Sequence, residues 1–389
     1  MNITGFSERN LNHRVGAFTE KEIWGQPALW QKIYEQVLNE KEALKSFIGK
    51  ATTHKNLNII LTGAGSSAFI GLSLKGSFNR YYKRNTADVS TTDLVTHPGD
   101  YLNCDTPLLL ISFARSGNSP ESVSAVQIAD QLCAKVFHLI ITCDETGDLA
   151  KYKTNSDKFV FVLPAEANDK SLAMTGSYSG MLLAGLLIAR IKEIDKLQPQ
   201  VAALQKYGRK LLGWAEDFEQ LAELNFERAV FLGSGPLFGT ATESHLKVQE
   251  LTDGEIICKK DSFLGFRHGP KAVVNGKTLV FMLFSNKPYV LQYETDLIDS
   301  LQDGQKPLFL AGVIESEQEK IQVDKLFVLS DNKNLIDEEF LPVCFILPAQ
   351  MLGYYKCLQF GLDPDMPSAS GAISRVVKGV VIYPYKSEN

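Results

Sequence analysis

The stretch "LNIILTGAG", residues 57–65, decides the fold, because a similar pattern returns at "RAVFLGSG", residues 228–235. Each is a short apolar run that ends in a Gly-x-Gly turn. Gly233 and Gly235 stand 170 positions after Gly63 and Gly65. Short, fully apolar strands that alternate with amphipathic helices are typical of a parallel sheet covered on both faces.

Later apolar runs keep the same offset. "LLLISFAR" (108–115) and "TLVFMLFS" (278–285) lie about 170 positions apart, as do "VFHLIITC" (136–143) and "KPLFLAGVI" (306–314). The apolar stretch "FILPAQMLGYYKCLQF" takes the place of a long apolar helix at 172–191. The repeated order predicts two tandem α/β units, joined near the charged helix "KYGRKLLGWAEDFEQLAE".

The domain boundaries follow from this repeat. We expect a helical N-terminal arm over residues 1–48, a first unit over 49–210 and a second unit over 211–389 that includes a C-terminal tail. "TEKE" at 19–22 fits a capping box that opens the arm.

Composition excludes several classes of protein. The 389 residues are 44% apolar and 22% charged, as in a folded chain, and the net charge of −5 with no basic block argues against a nucleic-acid partner. The start, "MNITGFSERNLNHRVG", lacks the apolar core of a secretory signal. The longest apolar run, "GMLLAGLLIARI", is shorter than the roughly 20 residues that span a bilayer. We therefore expect a cytoplasmic protein with no membrane partner.

Cysteine and histidine patterns give no support for disulfides or metals. The six cysteines are scattered without a C-x-x-C pair, which favours buried thiols in a reducing compartment. The six histidines form no H-x-H or H-E-x-x-H pair, so we expect no metal site.

Two serine-rich corners follow strands of the first unit, "TGAGSSAF" (62–69) and "FARSGNSPES" (113–122). Ligands of open parallel sheets bind beyond the carboxyl ends of strands. A dinucleotide fingerprint fails, because Ala68 stands where a third glycine belongs. Serine hydroxyls and free helix amides instead suit a phosphate monoester. The alternative is that these serines only cap helices and form turns.

The second unit has lost the Ser-Gly pattern at "FSNKPYV" but offers acid/base groups. Glu243, Lys247 and Glu250 share one helical face, and His268 lies in "GFRHGPKAV". A solvated ion-pair helix and a structural histidine are the simpler interpretation. Beside a phosphate pocket, however, a Glu and a His are the usual pair for moving protons on a sugar.

Four motifs together resemble the sugar isomerase (SIS) family in tandem arrangement: "GAGSSAF", "SGNSPES", "LKVQELTDGE" and "FRHGP". "TTDLVTHPGDYL", "GFRHGPKAVVN", "DMPSASG" and "RVVKGVVIYPY" are similar to the AgaS-type subfamily, galactosamine-6-phosphate deaminases long labelled tagatose-6-phosphate ketose/aldose isomerases. The resemblance covers nearly the whole chain. It implies two SIS domains, each a five-stranded parallel sheet in a three-layer αβα, flavodoxin-like arrangement.

The resemblance also implies residue roles. Glu250 matches the base that moves a proton between C1 and C2, and His268 matches a ring-opening histidine supplied by the neighbouring subunit, which implies a homodimer or a dimer of dimers. Arg375, or Lys378, stands near the position of the family's C-terminal lysine. The remaining matches to phosphate-binding and substrate-binding positions are Gly65, Ser66, Ser67, Arg115, Ser116, Ser119, Thr175 and Lys247.

The expected reaction is isomerising deamination of galactosamine 6-phosphate to tagatose 6-phosphate and ammonia. It needs no cofactor, because the carbonyl of the substrate is the electron sink. The preference for the galacto epimer comes from the resemblance alone. Alternatives are an aldose/ketose hexose-6-phosphate isomerase without deamination, a fructosamine-6-phosphate deglycase, and a non-enzymatic phosphosugar sensor.

Overall fold

The computed structural model describes residues 15–103, 105–331, 333–377 and 379–386. Apolar runs of five to eight residues form most of the strands in this part of the chain. The strands are β1 (Asn58–Thr62), β2 (Thr86–Asp88), β3 (Leu108–Ala114), β4 (Val136–Thr142), β5 (Asp157–Val162), β6 (Arg228–Gly233), β7 (Ile257–Asp261), β8 (Thr278–Leu283), β9 (Phe309–Ser316) and β10 (Lys325–Ser330).

The strands form two five-stranded sheets with one topology. The first has the order β2-β1-β3-β4-β5, and the second, read from the matching edge, has β7-β6-β8-β9-β10. Every pairing is parallel. Leu61 pairs with Ile111, and Phe231 pairs with Phe281, at corresponding positions of the two sheets. The predicted fold class, two tandem parallel α/β units, is confirmed.

Helices cover both faces of each sheet. Those of the first half are α1 (Ala17–Asn39), α2 (Lys41–Thr52), α3 (Ser66–Tyr82), α4 (Thr91–Thr96), α5 (Pro98–Tyr101), α6 (Pro120–Leu132), α7 (Asp148–Lys151) and α8 (Gly176–Ala189). The others are α9 (Gln198–Leu212), α10 (Ala215–Glu223), α11 (Leu237–Leu251), α12 (Phe263–Phe266), α13 (Pro288–Gln302), α14 (Leu341–Phe345) and α15 (Leu347–Gln359).

The two units share one core. The largest apolar cluster combines strand residues of both sheets, such as Leu109 and Phe281, with residues of the helices packed between them, such as Leu183 of α8 and Leu352 of α15. All fourteen residues of α8 are buried. Residues Glu338–Gln359 are long and apolar enough to span a bilayer, but 89% of that window is buried inside the protein, as in a core helix.

The N-terminal helices are part of this core. Trp30 of α1 is fully buried, and α2 continues to Thr52, beyond the expected end of the arm. The capping-box prediction was wrong, because α1 begins at Ala17 and Gly16 occupies its N-cap. The hydroxyl of Thr19 instead donates to Asp365 Oδ1, at 2.7 Å.

The segment between the units also differs from expectation. The charged stretch is two helices, α9 and α10, separated at Gly213 and Trp214. The boundary proposed between residues 210 and 211 falls inside α9 and remains a proposal. Four of the five cysteines in the described part of the chain are buried, whereas Cys104 lies outside it.

Candidate active site

A cavity of about 1000 Å³ opens at the carboxyl ends of β1 and β3, where the strand order of the first sheet reverses. The second unit closes one side with α11, and the C-terminal segment 371–377 covers another. Nine of the eleven residues predicted from the sequence line this space: Gly65, Ser66, Ser67, Arg115, Ser116, Ser119, Lys247, Glu250 and Arg375.

The serine corners lie at two helix N-termini. Gly65 adopts a positive φ of 55°, which lets the chain turn sharply from β1 into α3, and Ser66 and Ser67 form the buried first turn. Ser119 caps α6, since its Oγ accepts from the amide of Ser122 at 3.4 Å. The capping interpretation therefore holds for Ser119. The first turns of both helices still line the cavity, so their positive dipole ends lie beside it.

Arg115 brings a buried positive charge to this corner. Its guanidinium donates to carbonyl oxygens, including Leu172 O at 3.0 Å and Arg375 O at 2.7 Å. No carboxylate is bonded to it in the described part of the chain. Burial lowers the pKa of Arg115 below its ordinary value, but the group stays charged because an arginine pKa starts above 12. The structure thus favours a negatively charged ligand here.

Arg375 fixes the C-terminal segment against the first unit. Its Nε donates to Asp169 O at 2.9 Å, and its Nη2 donates to Asn168 Oδ1 at 2.9 Å. It is therefore a second arginine with only neutral acceptors bonded to it among the described residues. Lys378, the other candidate for this position, lies outside them.

A buried lysine links the two units at the cavity wall. Lys247 Nζ donates to Ser66 Oγ at 3.2 Å, contacts Glu243 Oε1 at 3.1 Å and is hydrogen-bonded to Glu250 Oε1. Burial disfavours the charged form of Lys247, but the two carboxylates outweigh it and raise its pKa above the ordinary value. Lys247 therefore holds Glu250 next to the serine corner.

Glu243 lies behind this lysine. It is fully buried, and burial raises its pKa to about 7 although Lys247 acts in the opposite direction. Glu243 does not line the cavity, whereas Glu250 does, with 13% of its side chain exposed. Of the two carboxylates, only Glu250 is positioned to contact a ligand.

Two predicted site residues lie outside the cavity. Thr175 is buried, and its hydroxyl donates to Asp169 Oδ1 at 3.0 Å, so it shapes the loop before α8 and does not line the pocket. His268 is exposed in the turn after α12, where its backbone amide donates to Gly265 O at 3.0 Å.

Sequence reasoning missed other residues of the site. Asp169 accepts bonds from the amides of Thr175 and Ser177, and so fixes the loop that carries the acceptors of Arg115. Gln249 and Asp253 line the cavity on the α11 side. Asp253 follows Glu250 by three positions, and this helical spacing was the available signal.

Comparison with known proteins defines the class first. Residues 53–190 match the SIS domain model, and the chain belongs to the SIS domain family. It is 39% identical over 383 residues to D-galactosamine-6-phosphate deaminase AgaS of Escherichia coli, covering 96% of this chain and 97% of that one. The same-named protein of Shewanella sp. strain ANA-3 is 39% identical over 377 residues, covering 96% and 93%.

Solved structures agree with this class. The crystal structure of tagatose-6-phosphate ketose/aldose isomerase from Escherichia coli superposes with a TM-score of 0.85 at 36% identity, covering 95% of this chain and 97% of that one. Glucosamine-6-phosphate deaminase from Thermotoga maritima has a TM-score of 0.71 at 24% identity, covering 92% and 99%, and this likeness concerns the fold. These relatives are named as enzymes that act on sugar phosphates.

Proposed function

We propose that this protein catalyses the isomerising deamination of galactosamine 6-phosphate to tagatose 6-phosphate and ammonia, in the catabolism of N-acetylgalactosamine or related amino sugars. The observation that carries the proposal is the shared cavity, where the serine corners of the first unit face Glu250 of the second. The names of relatives at 39% identity over nearly the full chain supply the substrate.

The phosphate binds in the serine corners. Hydroxyls of Ser66, Ser67 and Ser116 donate to its oxygens, and the positive dipole ends of α3 and α6 favour its negative charge. Arg115 and Arg375 add positive charge to which no carboxylate is bonded in the described structure. This holds the far end of the sugar while the near end extends along α11.

Glu250 performs the proton transfer. In the open-chain aldehyde it removes the proton from C2 and returns a proton to C1, which converts the aldehyde and amine into a C2 imine beside a C1 alcohol. Water then adds to the imine carbon, and ammonia leaves as the ketone forms. The electrons released from the C2–H bond pass through the substrate carbonyl, so neither a metal nor an organic cofactor takes part.

Ring opening is assigned to His268 of a second subunit. In this chain His268 is exposed and does not line the cavity, which supports a role in the site of a neighbouring subunit. We therefore propose a homodimer, or a dimer of dimers, in the cytoplasm. Mixing two inactive variants, one lacking Glu250 and one lacking His268, restores activity if each site combines the two chains.

Ammonia release separates this function from the alternatives. Purified protein is incubated with galactosamine 6-phosphate, glucosamine 6-phosphate and a fructosamine 6-phosphate, and both ammonia and ketose phosphate are measured. We expect equal amounts of both products from galactosamine 6-phosphate. Interconversion of galactose 6-phosphate and tagatose 6-phosphate without ammonia from any amino sugar would identify a plain isomerase instead.

A further inference from the structure

Asp253 is a cavity carboxylate to which the reaction above gives no role. Lys247, Glu250 and Asp253 follow one another at intervals of three residues, and all three line the cavity. Lys247 is paired with Glu243 and Glu250. The carboxylate of Asp253 has no hydrogen bond or ion pair to any residue that the structure describes. Its negative charge is therefore available to a ligand.

The backbone holds Asp253 in an unusual conformation. Its φ is 47°, in the left-handed region that residues with a Cβ rarely enter. The turn is fixed by the amide of Asp253, which donates to Glu250 O at 3.2 Å, and by the amide of Gly254, which donates to Gln249 O at 2.9 Å. The carboxylate thus starts from a fixed position one turn beyond the catalytic glutamate.

The helix dipoles also divide the cavity into a side that favours negative charge and a side that favours positive charge. The serine corners lie at the N-termini of α3 and α6, where the peptide dipoles favour an anion. Asp253 lies just past the C-terminus of α11, where they favour a cation. One side of the cavity therefore suits a negative group and the opposite side suits a positive one.

We infer that Asp253 binds the protonated amino group at C2 of the substrate and selects amino-sugar phosphates over neutral hexose phosphates. This rests on the proposed function and deepens it. A hexosamine 6-phosphate is a zwitterion, with a phosphate dianion at one end and an ammonium group near the other. Its charges match the two sides of this cavity, whereas a neutral-headed hexose phosphate matches only one.

The order of the residues along the cavity wall fits this assignment. Lys247 contacts Ser66 of the phosphate corner, Glu250 follows in the last turn of α11, and Asp253 lies just past the end of that helix. All three residues line the cavity. A substrate held by its phosphate at the corner and by C1 and C2 at Glu250 therefore has its C2 substituent on the side of Asp253.

The test compares two unreactive probes that differ only at C2. They are 2-amino-2-deoxygalactitol 6-phosphate and galactitol 6-phosphate, whose dissociation constants are measured by titration calorimetry. For Asp253→Asn we expect about a tenfold weaker binding of the amino probe, the size of one charged hydrogen bond, with unchanged binding of the neutral probe. Asparagine suits this position because it tolerates a positive φ better than most residues.

Two further variants separate charge from backbone effects. Asp253→Gly removes the carboxylate and relieves the left-handed backbone, so it should reproduce the selective loss with no loss of thermal stability. Glu255→Gln removes an exposed charge two residues away, outside the cavity lining, and should leave both probes unaffected. Equal weakening of both probes by Asp253→Asn, or no change in either, would overturn the assignment.

The outcomes also separate this inference from the proposed function. Suppose that wild-type protein releases ammonia from galactosamine 6-phosphate while Asp253→Asn binds the amino probe normally. The proposed function then stands, and the proposed role of Asp253 is wrong. If wild-type protein releases no ammonia, the proposed function is wrong. In that case a selective effect on the amino probe still assigns Asp253 to ammonium recognition.

Discussion

The two units have sheets of the same topology, but the carboxyl ends of their strands have different surroundings. In the first unit, the corner between β3 and α6 opens into the cavity, and Ser116 lines it. In the second unit, the corner between β8 and α13 is filled by the protein itself. The amide of Ser285 donates to Glu294 Oε2 at 2.8 Å, its hydroxyl donates to Glu338, and Lys287 Nζ pairs with Glu338 Oε2 at 2.8 Å.

This difference shows how one duplicated fold can have one ligand site. A strand end followed by a helix N-terminus attracts negative charge wherever it occurs. In the second unit, Glu338, which pairs with Lys287, supplies that charge from within the chain. Glu294 fills the corner beside it by accepting the amide of Ser285, and both side chains are buried. In the first unit, no carboxylate is bonded to Ser116 or Ser119 in the described part of the chain, so an external dianion can supply it.

The largest effect is expected for Glu250, the residue of the second unit that lines the cavity beside the serine corners of the first. Glu250→Gln should lower ammonia release by about a hundredfold to ten-thousandfold, because general-base catalysis contributes on that scale, while the phosphosugar still binds. Exchange of the C2 proton with solvent deuterium, followed by NMR, measures the step directly. Unchanged exchange in this variant would remove Glu250 from its role.

A matched pair of serine substitutions tests whether only the corner of the first unit binds phosphate. Ser116→Ala should weaken binding of the sugar phosphate by about tenfold, because a hydroxyl that donates to a dianion is lost, and should leave binding of the free sugar unchanged. Ser285→Ala should leave both affinities unchanged and cost about 1 kcal/mol of stability. If Ser116→Ala affects phosphorylated and free sugar equally, that corner is only a turn.

Glu294 gives the second unit a distinct pH dependence. Burial raises its pKa to about 8 in the folded protein, whereas an unfolded glutamate has a pKa of about 4.3. Between these values only the folded state holds the proton, so stability falls as pH rises through this interval. Glu294→Gln cannot titrate, so its stability relative to wild type should increase by about 3 kcal/mol between pH 5 and pH 8.

Thermal unfolding at a series of pH values measures this difference. Asp299→Asn, an exposed change on the same helix, serves as the control and should show no such trend. A constant difference between Glu294→Gln and wild type across the range would show that the carboxyl ionises normally.

The smallest effects concern the two glycine turns. Gly65 and Gly235 have φ values of 55° and 56°, and a Cβ added at either would meet no neighbouring atom within 4 Å. Alanine at each position should therefore cost about 1 to 3 kcal/mol from backbone strain alone, measured by denaturant unfolding. Only Gly65→Ala should also weaken phosphosugar binding, since Gly65 lines the cavity. Equal affinity losses would mean that the second corner also contributes to the site.

The repeat made most of the fold predictable. The strands at β1, β3, β4, β6, β8 and β9 are continuous apolar runs. The missed strands β2, β7 and β10 are edge strands. β2 and β7 show no continuous apolar run, whereas β10 has a short one, "LFVL" at 326–329, that sequence reasoning missed. β7, "ICKKD", has no fully buried residue.

The candidate site was predictable where a motif lies next to a strand end. The serine corners and the α11 helix face carry their own local signal. Asp169 and the acceptors of Arg115 lie in an irregular loop, and they reach the site only through tertiary contacts that no local pattern encodes. The Thr19 error has the same origin, since its hydroxyl is bonded to Asp365, 346 positions away in the chain.

The bond from Arg115 to the carbonyl of Arg375 spans 260 positions of the sequence. During synthesis, the first unit emerges from the ribosome well before Arg375 does, so one side of the buried guanidinium lacks its final acceptor until residue 375 has been made. The nascent first unit therefore has an incomplete phosphate corner, and its ability to hold substrate depends on the later arrival of Arg375.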